Sequence, residues 1–352
     1  MNKKKNLLWS LTTLVIAVIS ISAVISQAHH FSLGNFYAYV SNSNPVYLAV
    51  AVLLMFCYIF LEGHALRILL KAFGYKKRRR SCTVYSAADI YFSSVTPSAT
   101  GGQPASAFFM VKDGIPAAIV TLVLLVNLIL YTFAIMIVGL LALLIRPSIF
   151  IHFNMFSKIL IIVGYLILAL LAVGLILLIR YEVILQKICS KLILVLHRLH
   201  LMRRLNYWQE KLDRIIADYK KSAGMLQGHK KELADAFLAN LFQRISLIGV
   251  PAAVVLAMER SLDNALSVWV TQVFVTIGAT CVPIPGAQGV SDYLLLDGLG
   301  VMMGNDVAIN LDLLSRSISF YGCVLISLII IVIAYLMREK KKKKAFEREG
   351  TK

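Results

Sequence analysis

Glu62 is a carboxylate inside an apolar run from Val46 to Leu70. On a helical rise of 1.5 Å per residue it lies about 12 Å in from the Leu70 end. A lone charge at that depth is costly, so Glu62 is expected to face a polar cavity, meet a cation or hold a proton. Arg67, on the same run, fits either a phosphate contact or an arginine that snorkels to the interface. Arg244, near Asn240 and Gln243, also has two readings. It is either a guanidinium fork suited to a phosphate or an interfacial arginine at a helix end. Arg316 is the corresponding candidate for the opposite side. Asp292 is placed to accept from free backbone N–H groups or to meet a cationic group. The chemistry these residues share is recognition of a charged headgroup.

Two Gly/Pro-rich stretches interrupt the apolar pattern. The first runs from Thr96 to Pro104 and includes Gly101, Gly102 and Gln103; the second runs from Thr280 to Asp292 and includes Pro283, Pro285, Gly286 and Gly289. Proline lacks a backbone donor and clashes with the preceding turn, so continuous helix is not expected through 283–285. Broken helix at membrane depth is tolerated where protein or a polar cavity satisfies the freed groups. Two such breaks in separate halves point to a site between them; the plainer alternative is a pair of connecting loops.

The elements that must position these residues follow from composition. The 352-residue chain is 59% hydrophobic and 15% charged, with a mean hydropathy of +0.77. Its apolar runs reach the roughly 20 residues a bilayer crossing requires. They predict an all-α polytopic membrane protein with six full spans near Leu7–Ser26, Val46–Leu70, Ile115–Ile145, Phe156–Ile179, Ala234–Met258 and Ile318–Met337. Segments 86–111 and 265–299 are expected to be broken and re-entrant, from opposite faces, in the manner of inverted repeats. The organisation expected is a membrane half 1–180, an amphipathic linker 181–233, a second membrane half 234–337 and a basic tail 338–352. In the linker, Leu205, Trp208, Leu212, Ile215, Ile216 and Tyr219 recur at helical spacing. Residues 27–45 carry no charge, whereas Lys71 and Lys76 to Arg80, the linker and the tail are strongly basic. Positive-inside reasoning puts both termini and the linker in the cytoplasm and 27–45 outside.

A formal charge of +18 would suggest nucleic acid in a soluble chain, but here it flanks the spans, so topology and anionic lipid account for it. The five cysteines form no CxxC pair, and neither a disulfide framework nor a metal site is expected. Phosphate-loop, HExxH, GxSxG and dinucleotide motifs are missing from the sequence, so no catalytic residue and no cofactor is assigned.

Thr96–Pro104 with Val111-Lys112-Asp113-Gly114 resembles the first signature of the flippase-like membrane region of lysylphosphatidylglycerol synthases. Pro283-Ile284-Pro285-Gly286-Ala287-Gln288-Gly289-Val290-Ser291-Asp292 is similar to the second, with Ala287 in place of a glycine and Asp292 where glutamate is common. The resemblance implies a bacterial cell membrane protein that moves a phospholipid, aminoacylated phosphatidylglycerol or a related amphipathic lipid, between leaflets. An anionic or aminoacylated phospholipid is then the expected partner. The chain stops soon after Met337, so lysyltransferase activity is not expected of it, although the family name carries that activity. The competing expectation is a non-transporting scaffold for a separate lipid-modifying enzyme; a homo-oligomer fits either reading.

Overall fold

The computed structural model describes residues 37, 41, 43–96, 99–198, 208, 210, 212–217, 224, 228–280, 282 and 289–349. The expected first span, Leu7–Ser26, lies outside them, as do Pro283, Pro285 and Gly286. Every regular element described is helical. In chain order these are α1 Pro45–Ala72, α2 Arg79–Val95, α3 Gly102–Lys112, α4 Ala117–Ile145, α5 Pro147–His152 and α6 Met155–Arg180. Then come α7 Glu182–Arg198, α8 Lys230–Glu259, α9 Leu262–Ala279, α10 Val290–Met303, α11 Asn305–Arg316 and α12 Cys323–Glu349. Five stretches are long and apolar enough to cross a membrane: α1, α4, α6, α8 and Val307–Met337. The last joins α11 to α12 through a π-helical turn, Ser317–Gly322.

Local chemistry sets where these helices start and stop. Asn44 caps α1, its side chain accepting from Val46 N at 3.0 Å, and Pro45 occupies a first-turn position where no donor is needed. The first interruption is a helical hairpin of α2 and α3. It begins at Arg79 rather than near Ser86, because the added turns bury Cys82, Val84 and Tyr85 in the apolar core. Gly114, at φ +82°, ends α3 in a left-handed turn in which Ile115 N reaches Met110 O at 3.2 Å. The second interruption joins α9 to α10. Ser261 caps α9 through Asn264 N at 3.3 Å, which moves its start to Leu262.

Helices α1 and α8 form the most extensive packing pair. One apolar cluster joins α1 to α2, α3 and α4. A second joins α1 to α8, α9, α10 and α11, and a third joins α4, α5, α6 and α9. By contrast, α6 exposes Ile162, Leu166, Leu170 and Val173, the surface a lipid-facing helix needs. In the linker, Leu212 and Ile216 are buried while Asp213 and Arg214 are exposed; Leu205 and Tyr219 lie outside the described residues.

Hydrogen bonds sort the helix ends into two faces. Asn44 N donates to Ala257 O at 2.9 Å, placing the start of α1 beside the end of α8. Arg146, after α4, pairs with Asp263 and donates to Ser267 Oγ at 2.6 Å. That guanidinium holds the exposed Asp263 carboxyl below the ordinary aspartate range. Asn154 Nδ2, before α6, reaches Tyr293 Oη at 2.6 Å and Asp297 Oδ1 at 2.9 Å on α10. At the other face, Lys77 Nζ donates to Asp113 O at 2.7 Å and Tyr85 Oη to Asp113 Oδ2 at 2.6 Å. The two ends of the α2–α3 hairpin therefore sit together. Asp113 is tied across that hairpin, and Pro116 occupies the cap position of α4.

Candidate functional site

A cavity of about 830 Å³ opens between the two interruptions. Ala99 and Gln103 reach it from the first hairpin, and Thr280 and Val282 from the end of α9. Of the residues expected from sequence, Glu62, Gln103, Arg244 and Arg316 line it together.

Glu62 and Asp89 are 7% and 6% exposed, and their carboxyl groups lie within hydrogen-bonding reach of each other. Close packing of α1 on α2 makes this possible: Ser86 Oγ donates to Ile59 O at 2.7 Å, and a Cβ on Gly63 would stand 3.0 Å from Cys82 O. On its other side α2 is approached as closely by α3. A Cβ on Gly102 would stand 2.6 Å from Asp89 O and collide with Asp89 Oδ1 and Ser93 Oγ, so only glycine fits. Gln103 Nε2 then donates to Asp89 Oδ2 at 2.7 Å and Ser93 Oγ to Asp89 Oδ1 at 3.1 Å. Thr96 closes the turn, donating to Phe92 O at 2.6 Å and accepting from Gly101 N at 2.9 Å. On α8, Gln243 Nε2 donates to Glu62 Oε2 at 3.3 Å. Asn240 Nδ2 donates to Ala236 O at 2.9 Å and to Asn127 Oδ1 at 3.0 Å. Gln243 Oε1 and Asn240 Oδ1 are left buried without a donor among the described residues.

The two cavity arginines differ in a way that matters for binding. Arg244 stacks with its Cζ 4.2 Å from the Tyr131 ring centroid and 6.0 Å from that of Tyr58. Its Nε has no partner among the described residues. Arg316 is held within the protein: Nε donates to Asp312 Oδ1 at 2.9 Å, Nη2 donates to Ser291 Oγ at 2.7 Å, and an ion pair joins it to Asp292. Asp292 Oδ2 also accepts from Gly289 N at 3.0 Å, so Asp292 caps the start of α10 as well as holding Arg316. Arg316 leads directly into the π-helical turn, whose Ser319 and Phe320 line the cavity.

Arg67 does not line the cavity. Five residues beyond Glu62 it is rotated about 140° around α1 and half-buried elsewhere. Sequence reasoning left out Asp89, Asn127, Tyr131 and Asp312, all of which line the cavity. Asn127 carried a usable signal, being the one amide in the 29-residue apolar stretch of α4.

Fold and site together define a polytopic α-helical membrane protein with a polar, mixed-charge cavity between two broken segments. Over residues 10–327 the sequence matches the family described as Lysylphosphatidylglycerol synthase TM region, and the chain belongs to that family. The match is to the membrane region, and no aminoacyltransferase domain is identified in the chain. No curated protein matches the chain.

Proposed function

We propose that this protein carries a phospholipid between leaflets, its headgroup passing through the cavity while the acyl chains stay in the bilayer. The observation that carries this reading is the convergence of both interruptions on one cavity containing Glu62, Asp89 and Arg244. Arg244 takes the phosphate, since its guanidinium is oriented by Tyr131 and keeps donor capacity. Glu62 and Asp89 opposite take an ammonium group when the headgroup has one, as an aminoacylated phosphatidylglycerol does. The first hairpin begins and ends at the basic face, while α9 begins at the other, where Asn154 also meets α10 at Tyr293 and Asp297; this supports re-entrant segments of inverted orientation. The basic face is assigned to the cytoplasm.

The alternative, a scaffold for a separate lipid-modifying enzyme, draws on α7, where Val183, Ile188 and Leu194 are exposed. Vesicles of phosphatidylcholine and phosphatidylglycerol carrying acyl-labelled phospholipids on one leaflet separate the two. Transport requires exchange above the protein-free rate for at least one lipid, reduced in Glu62→Gln/Arg244→Ala. Protein-free rates for every lipid favour the scaffold.

A further inference from the structure

Two carboxylates within hydrogen-bonding reach of each other and nearly out of solvent line the cavity together. With both ionised, Glu62, Asp89 and Arg244 sum to one negative charge at membrane depth. One proton shared between the carboxyl groups removes that charge and the repulsion between them. The groups facing the pair are few. Arg244 comes from α8, Tyr58 from α1, Tyr131 from α4 and Cys323 from the start of α12. Gln103 faces Asp89 from α3, and the π-helical turn contributes the non-titrating Ser319 and Phe320. Asp312 and Arg316, across the cavity, are already paired with each other.

Beside the pair, two further acceptors wait for a donor. Gln243 and Asn240 are each 1% exposed, both line the cavity, and Gln243 Oε1 and Asn240 Oδ1 have no partner among the described residues. The Asn240 amide is oriented by its bond to Ala236 O, a group that can only accept, so the free atom is the oxygen. Carboxylate oxygens and orphan amide oxygens together suit a group with several N–H donors and one positive charge.

From this geometry we infer that Glu62 and Asp89 form a proton-binding site that a headgroup ammonium empties, so that each cationic headgroup taken up releases one proton. The inference rests on the lipid-translocation reading and adds the ion exchanged. The balance is simple: a carboxyl O–H bond breaks, its proton leaves to solvent, and the ammonium N–H groups take its place against the carboxylates. The ammonium's positive charge replaces the proton's at the carboxylate pair, and the phosphate on the same headgroup is met by Arg244. A headgroup with a phosphate but no amine binds at Arg244 and leaves the proton where it is.

Calorimetric titration of the detergent-solubilised protein in two buffers of different ionisation heat counts the protons. Dihexanoyl phosphatidylethanolamine is the amine probe and dihexanoyl phosphatidylglycerol the amine-free one. Wild type should release about one proton per bound phosphatidylethanolamine and none with phosphatidylglycerol. Glu62→Gln and Asp89→Asn should each release under about a fifth as much, and Glu62→Asp, which keeps the carboxyl pair, at least about half. Undetectable phosphatidylethanolamine binding to wild type, binding without proton release, equal release with both lipids, or undiminished release in both neutral variants overturns the inference. The vesicle assay reads the other claim separately. Leaflet exchange without proton release removes only the coupling, and proton release without exchange removes only the transport.

Discussion

Gln103 Nε2 donates to Asp89 Oδ2 at 2.7 Å, so the second helix of the first hairpin fixes the carboxylate carried by the first. Gln103→Leu keeps the size of the side chain and removes the donor. It should slow leaflet exchange in vesicles by about tenfold or more, since a lost hydrogen bond to a charged group is worth roughly 1.5–3 kcal/mol. Unchanged exchange would show that the position of Asp89 is set without Gln103.

Gly102 tests the packing beneath that contact. Gly102→Ala forces a methyl into Asp89 and Ser93 and should destabilise the protein by about 1–3 kcal/mol. Gly174, in α6, has open space where a Cβ would stand. Gly174→Ala should stay within about 1 kcal/mol of wild type. Thermal unfolding in one detergent compares them, and equal midpoints would contradict the close approach of α3 to α2.

Arg244 separates fork from charge. Arg244→Ala should cut exchange of labelled phosphatidylglycerol by about tenfold or more, or ~1.4 kcal/mol. Arg244→Lys keeps the charge but loses the guanidinium lying over Tyr131 and the paired donors, so it should recover part of the rate. Full recovery by lysine would mean that the guanidinium geometry is not used.

The Arg316–Asp292 pair ties α11 to the start of α10 next to the second interruption. A double-mutant cycle of Arg316→Gln and Asp292→Asn, read by thermal unfolding, should give a coupling of about 1–3 kcal/mol. Additive effects would indicate that Asp312 and Ser291 hold Arg316 without Asp292.

Sidedness is open to labelling. In a cysteine-free background, a membrane-impermeant thiol reagent applied outside should label Leu262→Cys, which replaces a residue 77% exposed, and leave Ser222→Cys unlabelled. The reverse pattern would invert the assignment drawn from charge.

Much of the architecture was legible because its causes are local. Runs such as Ala117–Ile145 and Met155–Arg180 are apolar over a bilayer's width, and that property belongs to the segment itself. Thr96–Pro104 marked a break because glycine and proline act on their own turn, and Glu62 stood out because a carboxylate in an apolar run needs a partner. The identity of the partners was not local. Asp89 reaches Glu62, and Gln243 reaches Glu62 from 181 positions away, only after α1, α2 and α8 pack. Arg67 and Arg244 looked alike as arginines near helix ends, and rotation around the helix separated them. Arg316 and Arg244 also looked alike, yet Asp292, Asp312 and Ser291 converge on one, while the other rests on Tyr131 with its Nε unpartnered among the described residues. Sequence thus determined which segments are long and apolar enough to cross a membrane and which residues are costly within them. Tertiary packing decided which of those costs are offset within the protein and which remain for a ligand, because electrostatic neighbours are set by distance in space.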